Sequence, residues 1–285
     1  MIEVFNAVLN IAVAIERDVF ENCTDFLENG SDEEMHRKVY VHCTTIIENE
    51  FKKVKSIKCM IGKDEKQLCF TGEDGKYIVS YVPIDNIDLL DVDFSLGSMF
   101  AVYENEINAK SIKAAIYITY GPTFQLVFAS KNAGVKFFSY NNHELIQEKS
   151  FMLASKGKIN SPGGIQREWS DVHRDLIESF FQEGYRLRHS DSLILDAHQI
   201  LFKKGGIYSS PKTKTFPNGE LKLVFEAYPI AFIFEFVDGE AIDGQRRILD
   251  IDLEDLHQTT PIYFGSKYEI QKVKEFLTHK ECKQK

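Results

Sequence analysis

Asp64-Glu65, Asp85 and Glu226 are the acids in this chain whose settings suit chemistry. Glu226 stands alone in the apolar run Val224-Phe225-Glu226-Ala227-Tyr228-Pro229, where an unpartnered acid is costly to bury, so it belongs to a site. Asp85 lies in the turn Val82-Pro83-Ile84-Asp85-Asn86-Ile87-Asp88, followed by Asp91 and Asp93. Asp64-Glu65 falls in a charged stretch for which a solvated loop is the default. Asp32, in the capping-box pattern Ser31-Asp32-Glu33-Glu34, suits the first turn of a helix, where the dipole favours an acid. Carboxylates drawn from separate segments are how proteins hold hard cations, which need several oxygen ligands. With 43 acids against 34 Lys plus Arg, net charge −9 and no long basic run, no nucleic-acid partner is expected. Any phosphate must be met by local basic residues.

The elements that would position these groups read as helices first, then strands, then a mixture. At 285 residues and 44% hydrophobic, the chain has core enough for one large domain or two tightly packed ones. Met1 to Phe20 carries apolar residues at helical spacing, and Glu34 to Phe51 is a second helix. β-rich runs follow at Lys76 to Val82, Phe94 to Glu104, Ile112 to Tyr120, Phe124 to Ser130 and Val135 to Tyr140. Ser161-Pro162-Gly163-Gly164 breaks this pattern, which places a boundary between an N-terminal αβ lobe, residues 1–158, and a C-terminal αβ lobe, residues 159–285. Beyond it, Ser170 to Glu183, Ser192 to Phe202, Leu221 to Phe236 and Lys267 to Thr278 read as helices, and Pro261 to Phe264 as a strand. The apolar N-terminus contains Glu3, Asn6 and Asn10 and lacks a basic leader, so neither export nor a membrane is expected. Five cysteines without a C-x-x-C pair favour a reducing cytoplasm.

Three ordered motifs carry a resemblance. They are Arg186-Leu187-Arg188-His189-Ser190-Asp191-Ser192-Leu193-Ile194-Leu195-Asp196-Ala197-His198, then Lys204-Gly205-Gly206-Ile207-Tyr208, then Phe216-Pro217-Asn218-Gly219-Glu220-Leu221-Lys222 running on to Pro229. With Asp255 to Pro261 and Phe264-Gly265-Ser266, the series resembles class 1 fructose-1,6-bisphosphatases over nearly the whole chain. The resemblance implies an α/β fold of two lobes in a layered α/β/α/β/α sandwich, assembled as a homo-oligomer. It also implies hydrolysis of a sugar 1-phosphate in gluconeogenesis with magnesium, or manganese in its place. It casts Asp64, Glu65, the Ile84 carbonyl, Asp85 and Glu226 as metal ligands, and Asp32 and Glu65 as catalytic. Asp88, Arg188, His189, Ser192, Leu193 and Lys222 become substrate contacts.

Several positions depart from that family's pattern. Val82 stands where the first Asp of the metal turn belongs, and Asn86-Ile87 replace its Gly-Ser phosphate cradle. Ser210 replaces a Tyr, and Pro162 with Ile165 replaces the Asn and Tyr of another loop. Glu220 replaces a Lys that meets the 6-phosphate; at about 4 Å and an effective dielectric near 20, about 4 kcal/mol of attraction becomes comparable repulsion. The Thr-Gly-Glu-Leu-Thr turn that binds AMP in regulated members is not found, so AMP inhibition is not expected. Two functions compete: a pseudoenzyme that keeps the fold and binds a sugar phosphate or other small anion, alone or with an intact paralogue, and an active sugar phosphatase in which Asp88, Asp91 or Asp93 completes a rearranged metal site. Concerted loss of metal, cradle and 6-phosphate groups favours the pseudoenzyme.

Overall fold

A computed structural model describes residues 1–21, 32–72, 74–141 and 144–281. The expected cap Ser31, and Cys23 and Cys282, lie outside the described residues. Helix α1 (Ile2–Ile15) passes into a π-helical turn (Glu16–Glu21), and α2 (Asp32–Phe51) follows with Asp32, Glu33 and Glu34 in its first turn. Eight strands come next: β1 (Ile57–Gly62), β2 (Cys69–Phe70), β3 (Tyr77–Asp85), β4 (Leu96–Glu104), β5 (Ile112–Tyr120), β6 (Phe124–Ser130), β7 (Gly134–Asn141) and β8 (Glu144–Gln147). They form one sheet in the order β2-β1-β3-β4-β5-β6-β7-β8, antiparallel throughout except for β1 beside β3.

Both faces of this sheet are covered, which is why β3 to β6 read as nearly continuous apolar runs. On one face α1 and α2 bury Val4, Val8, Ile11, Val39 and Ile47 against Val79, Tyr81, Phe100 and Ile116. On the other lie α4 (Leu193–Phe202) and α5 (Tyr228–Glu235), with Val82, Met99 and Tyr117 meeting Ile194, Val224, Phe225 and Ile230. Beneath these two helices is a five-stranded sheet of β9 (Ile159–Pro162), β10 (Arg186–Leu187), β11 (Ile207–Ser210), β13 (Glu240–Ile242) and β15 (Ile262–Gly265), in the order β10-β9-β11-β15-β13. Helices α3 (Asp171–Gln182) and α6 (Lys267–Glu281) close its far side through Leu176, Phe180, Ile270 and Val273. The layering is therefore α/β/α/β/α, as expected.

Leu221 to Phe236 is not one helix. Leu221–Lys222 is a short strand, β12, paired with β14 (Thr259–Thr260); a π-helical turn (Leu223–Ala227) follows, and regular helix begins only at Tyr228. Strands β3 to β7 and β15 were anticipated from the sequence, whereas β1, β2 and β8 to β14 were not.

Candidate active site between the lobes

Strand β3 delivers Asp85 to the floor of the site. Its pairing with β4 is regular up to Val82 opposite Met99, skips, and resumes with Asp85 opposite Gly97. The Ile84 carbonyl lies within that irregularity. Gly97 is required there, because a Cβ would stand 2.7 Å from Ile194 Cγ2 and 3.0 Å from the Ile118 carbonyl. The space admits the N-terminus of α4, where Ser192 caps the helix by accepting from the Leu195 amide at 3.2 Å. Ser192 Oγ and the Ile194 amide both donate to Asp85 Oδ2, at 2.7 and 2.9 Å. Burial, and then the nearby Glu226, push the Asp85 carboxyl above its ordinary range, against Lys63 and these two donors.

The second acid comes from the other lobe. Glu226, 2% exposed on the π-helical turn, accepts the Lys222 amide on Oε2 at 2.8 Å and the Lys63 ammonium on Oε1 at 2.6 Å. Burial works against the Lys63 charge, but Glu226, Asp85 and Asp64 outweigh it and hold the ammonium well above the ordinary lysine range. Thus Lys63 supplies the positive charge that the buried Glu226 carboxylate meets. The Lys222 ammonium donates to the Lys63 carbonyl at 2.5 Å and reaches Asp64 Oδ1 at 3.4 Å. Burial would raise Asp64, yet Tyr40, Lys222 and Lys63 bring it below the ordinary carboxylate range.

The expected acid pair divides between two directions. Lys63 and Asp64 face the site, whereas Glu65 turns back onto its own loop, taking the Gly62 amide at 2.8 Å and the Tyr81 hydroxyl at 2.7 Å. Lys63 was missed because one Lys within Lys63-Asp64-Glu65-Lys66 looks like part of a solvated surface; its position next to the presumed ligands was the available signal.

The acid-rich run does not converge on this centre either. Asp88 and Asp91 both hold His36 of α2, at 3.2 and 2.7 Å, and Asp93 ends the short 3-10 turn (Ile87–Val92) with φ of 54°. Asp32 is exposed in the first turn of α2. Asn86, left-handed at φ 52°, donates to the Asp191 carbonyl at 2.8 Å and its carboxylate at 3.1 Å, which stitches the turn to the other lobe. Ile87 packs partly buried on the α1–α2 side, and Val82 is 2% exposed in the core between the sheets. Leu193 is also core, and Ser210 is buried on β11.

The remaining polar positions surround this centre unevenly. His189 Nδ1 lies 3.1 Å from Asp196 Oδ2, and that contact first of all holds the imidazole above its ordinary range. Partial burial, followed by Glu226 and Asp191, pushes the Glu220 carboxyl up. Arg188 points elsewhere: it lines a cavity of about 830 Å³ at the β10 edge, with Lys156, Lys158, Arg186 and Lys203.

The chain that carries these groups has known counterparts. Residues 22–149 match the family "Fructose-1-6-bisphosphatase, N-terminal domain", and residues 153–278 match its C-terminal domain. The chain belongs to the class 1 fructose-1,6-bisphosphatase family. A class 1 fructose-1,6-bisphosphatase of Campylobacter hominis is 42% identical over 282 residues, covering 96% of this chain and 99% of that protein. One from Helicobacter hepaticus is 35% identical, covering 93% of this chain and 95% of its own length. Among solved structures, the holo form of the Leishmania major fructose-1,6-bisphosphatase superposes with a TM-score of 0.88 at 23% identity, over 96% of this chain and 92% of that one, which shows the common fold.

The donors here suit a hard cation in kind: carboxylates of Asp64, Asp85 and Glu226 and the Ile84 carbonyl are all oxygen. Their present arrangement suits one only in part. Among the described residues, no three His, Cys, Asp or Glu side chains stand close enough together to hold a metal ion. Val82 offers no donor, and the Lys63 ammonium engages Glu226.

Proposed function

We propose that this chain is a divalent-metal-dependent phosphatase of fructose 1,6-bisphosphate or a related phosphate monoester, with a rearranged metal site. The observation that carries this reading is the pair of buried acids, Asp85 from one lobe and Glu226 from the other, with the Lys63 ammonium bonded to Glu226. Relatives of nearly equal length that are called class 1 fructose-1,6-bisphosphatases support it. Asp85, Glu226, Asp64 and the Ile84 carbonyl would hold magnesium or manganese. When bound, such an ion activates water and offsets charge on a transferring phosphoryl group. The chain's own part is to hold the Asp85 carboxyl in place through Ser192 and the α4 amide, and to fix the 62–65 loop through Lys222.

A second reading, binding of a sugar phosphate without turnover, is favoured by Val82, which removes an oxygen donor where the family pattern has one. Phosphate release from fructose 1,6-bisphosphate with magnesium or manganese separates the two. Native turnover of about 1 per second or more supports the phosphatase. Turnover appearing only in Val82→Asp combined with Asn86→Gly, Ile87→Ser and Glu220→Lys overturns it in favour of the binding protein. We further place the lobe boundary near residue 158, the assembly as a homo-oligomer and the compartment as cytoplasm; free thiols at Cys43, Cys59 and Cys69 support the last.

A further inference from the structure

We propose that the cavity at the β10 edge is a second site, built for a small anion that carries two phosphoryl groups. It shares none of Asp64, Asp85 and Glu226, and does not depend on the phosphatase reading. Five cations and one acid line its volume of about 830 Å³, in a chain whose net charge is −9. That size suits a small ligand. The acid, Glu183, is already engaged: the Lys156 ammonium lies 2.6 Å from its Oε2, Lys272 pairs with its Oε1, and the Tyr268 hydroxyl donates to it at 2.9 Å. Among the described residues, the other four cations, Lys158, Arg186, Arg188 and Lys203, meet no carboxylate. Like charges gathered in this way repel, and an anion placed among them offsets the repulsion.

The walls of the cavity are tied to one another. Glu269, buried on the first turn of α6, takes the Gly157 amide and the Tyr185 hydroxyl on one oxygen, each at 2.6 Å. A single carboxylate therefore joins the 156–158 segment to the turn that opens β10. Gly157 also lies flush against Gly205-Gly206, where a Cβ would stand 1.9 Å from the Gly206 nitrogen, so Lys203 at the end of α4 reaches the same cavity. The Arg186 and Arg188 amides donate to the Lys158 and Asn160 carbonyls at 2.9 and 3.0 Å. Two positions apart on an extended segment, these two side chains leave the same face about 7 Å from each other. Each guanidinium is a planar fork that matches a pair of phosphate oxygens, so two forks at that spacing engage two phosphoryl groups, with Lys158 and Lys203 adding charge.

The probe is inorganic pyrophosphate, titrated calorimetrically into the full chain with a chelator present so that no divalent ion takes part. The native chain should bind one pyrophosphate, and inorganic phosphate about tenfold or more weakly. Arg186→Gln combined with Lys203→Gln should weaken pyrophosphate by about tenfold or more. Lys222→Met, in the centre between the lobes, should leave its affinity within about twofold. The proposal is overturned by a native chain that does not bind, by equal affinity for phosphate and pyrophosphate, by an unaffected double variant, or by a loss in Lys222→Met as large as that in the double variant. A measurement on the native chain guards against a variant that fails to fold. Pyrophosphate should slow acetylation of Lys158 and Lys203, read by mass spectrometry, and leave that of the exposed Lys66 unchanged; labelling that ignores pyrophosphate overturns the proposal. Neither readout involves turnover, so the phosphatase reading can fail with this site intact, and the reverse.

Discussion

Glu226 is 2% exposed among Leu, Val, Phe and Ala, and its charge is tolerable there because both oxygens are engaged. Removing it leaves the Lys63 ammonium facing Asp85 without its nearest partner. A fully buried pair broken on one side costs about 3–5 kcal/mol. Lys63 reaches solvent, so Glu226→Ala should lose about 2–3 kcal/mol in chemical denaturation, with Glu226→Gln losing less because it still accepts the Lys222 amide. An unchanged denaturation midpoint in Glu226→Ala would show that the pair contributes nothing to the fold. Legibility at this scale was uneven. Glu226 declared itself, because an acid inside an apolar run needs a reason. Lys63 did not, since a Lys among charged neighbours has the same appearance whether it covers a surface or fills a site.

The elements meet most closely where β3, β4 and the N-terminus of α4 converge, and Gly97 sets that distance. Gly97→Ala should push Ile194 away from Asp85, costing about 1–3 kcal/mol as overpacking does. Thermal denaturation checks it, and a neutral substitution would mean that α4 can shift freely. A pH effect belongs to α3 against the lower sheet. His173, 1% exposed, lies 4.9 Å from the Trp169 ring and 3.4 Å from the Tyr263 hydroxyl, and burial pushes its imidazole down to about 3. The folded chain keeps it neutral while the unfolded chain takes a proton below about pH 6.5. Its stability is therefore complete above that value and is lost as pH falls towards 3, by at most about 1.4 kcal/mol per pH unit. Stability of His173→Phe measured from neutral to acid pH should fall less steeply than that of the native chain; parallel curves would refute the assignment. Strands β5 and β6 were legible to the residue because apolar runs ended at turn residues. The break at Leu221 to Tyr228 was not, because a strand, a π-helical turn and a helix share one apolar composition.

At the scale of the whole molecule, the break at Ser161-Pro162-Gly163-Gly164 suggested two lobes, but how firmly such halves are joined was not legible, since that depends on which face of each strand is covered. The middle core is continuous across the boundary near residue 158. Met99, Tyr103, Tyr117 and Val127 from the upper sheet pack with Leu193, Val224, Phe225 and Ile230, and on to Tyr208 and Phe264 of the lower one. Polar links cross it as well. Ser80 and Tyr103 hydroxyls donate to the Val224 carbonyl, Asp85 takes Ser192, Asn86 holds Asp191, and Lys63 meets Glu226. Neither lobe buries its inner face alone, and a fragment of residues 1–158 would present a large apolar surface to water. The expected outcome is a single calorimetric transition for the full chain, with calorimetric and van 't Hoff enthalpies close to equal, and an isolated 1–158 fragment that is insoluble or unfolded. Two resolved transitions, or a soluble fragment with native circular dichroism, would mean that the upper lobe is stabilised by the α1–α2 core alone and that the shared layer is a contact between independent domains. Because Asp85 and Glu226 reach the site from opposite sides of that layer, the same experiment determines whether the site can exist without the fold that joins them.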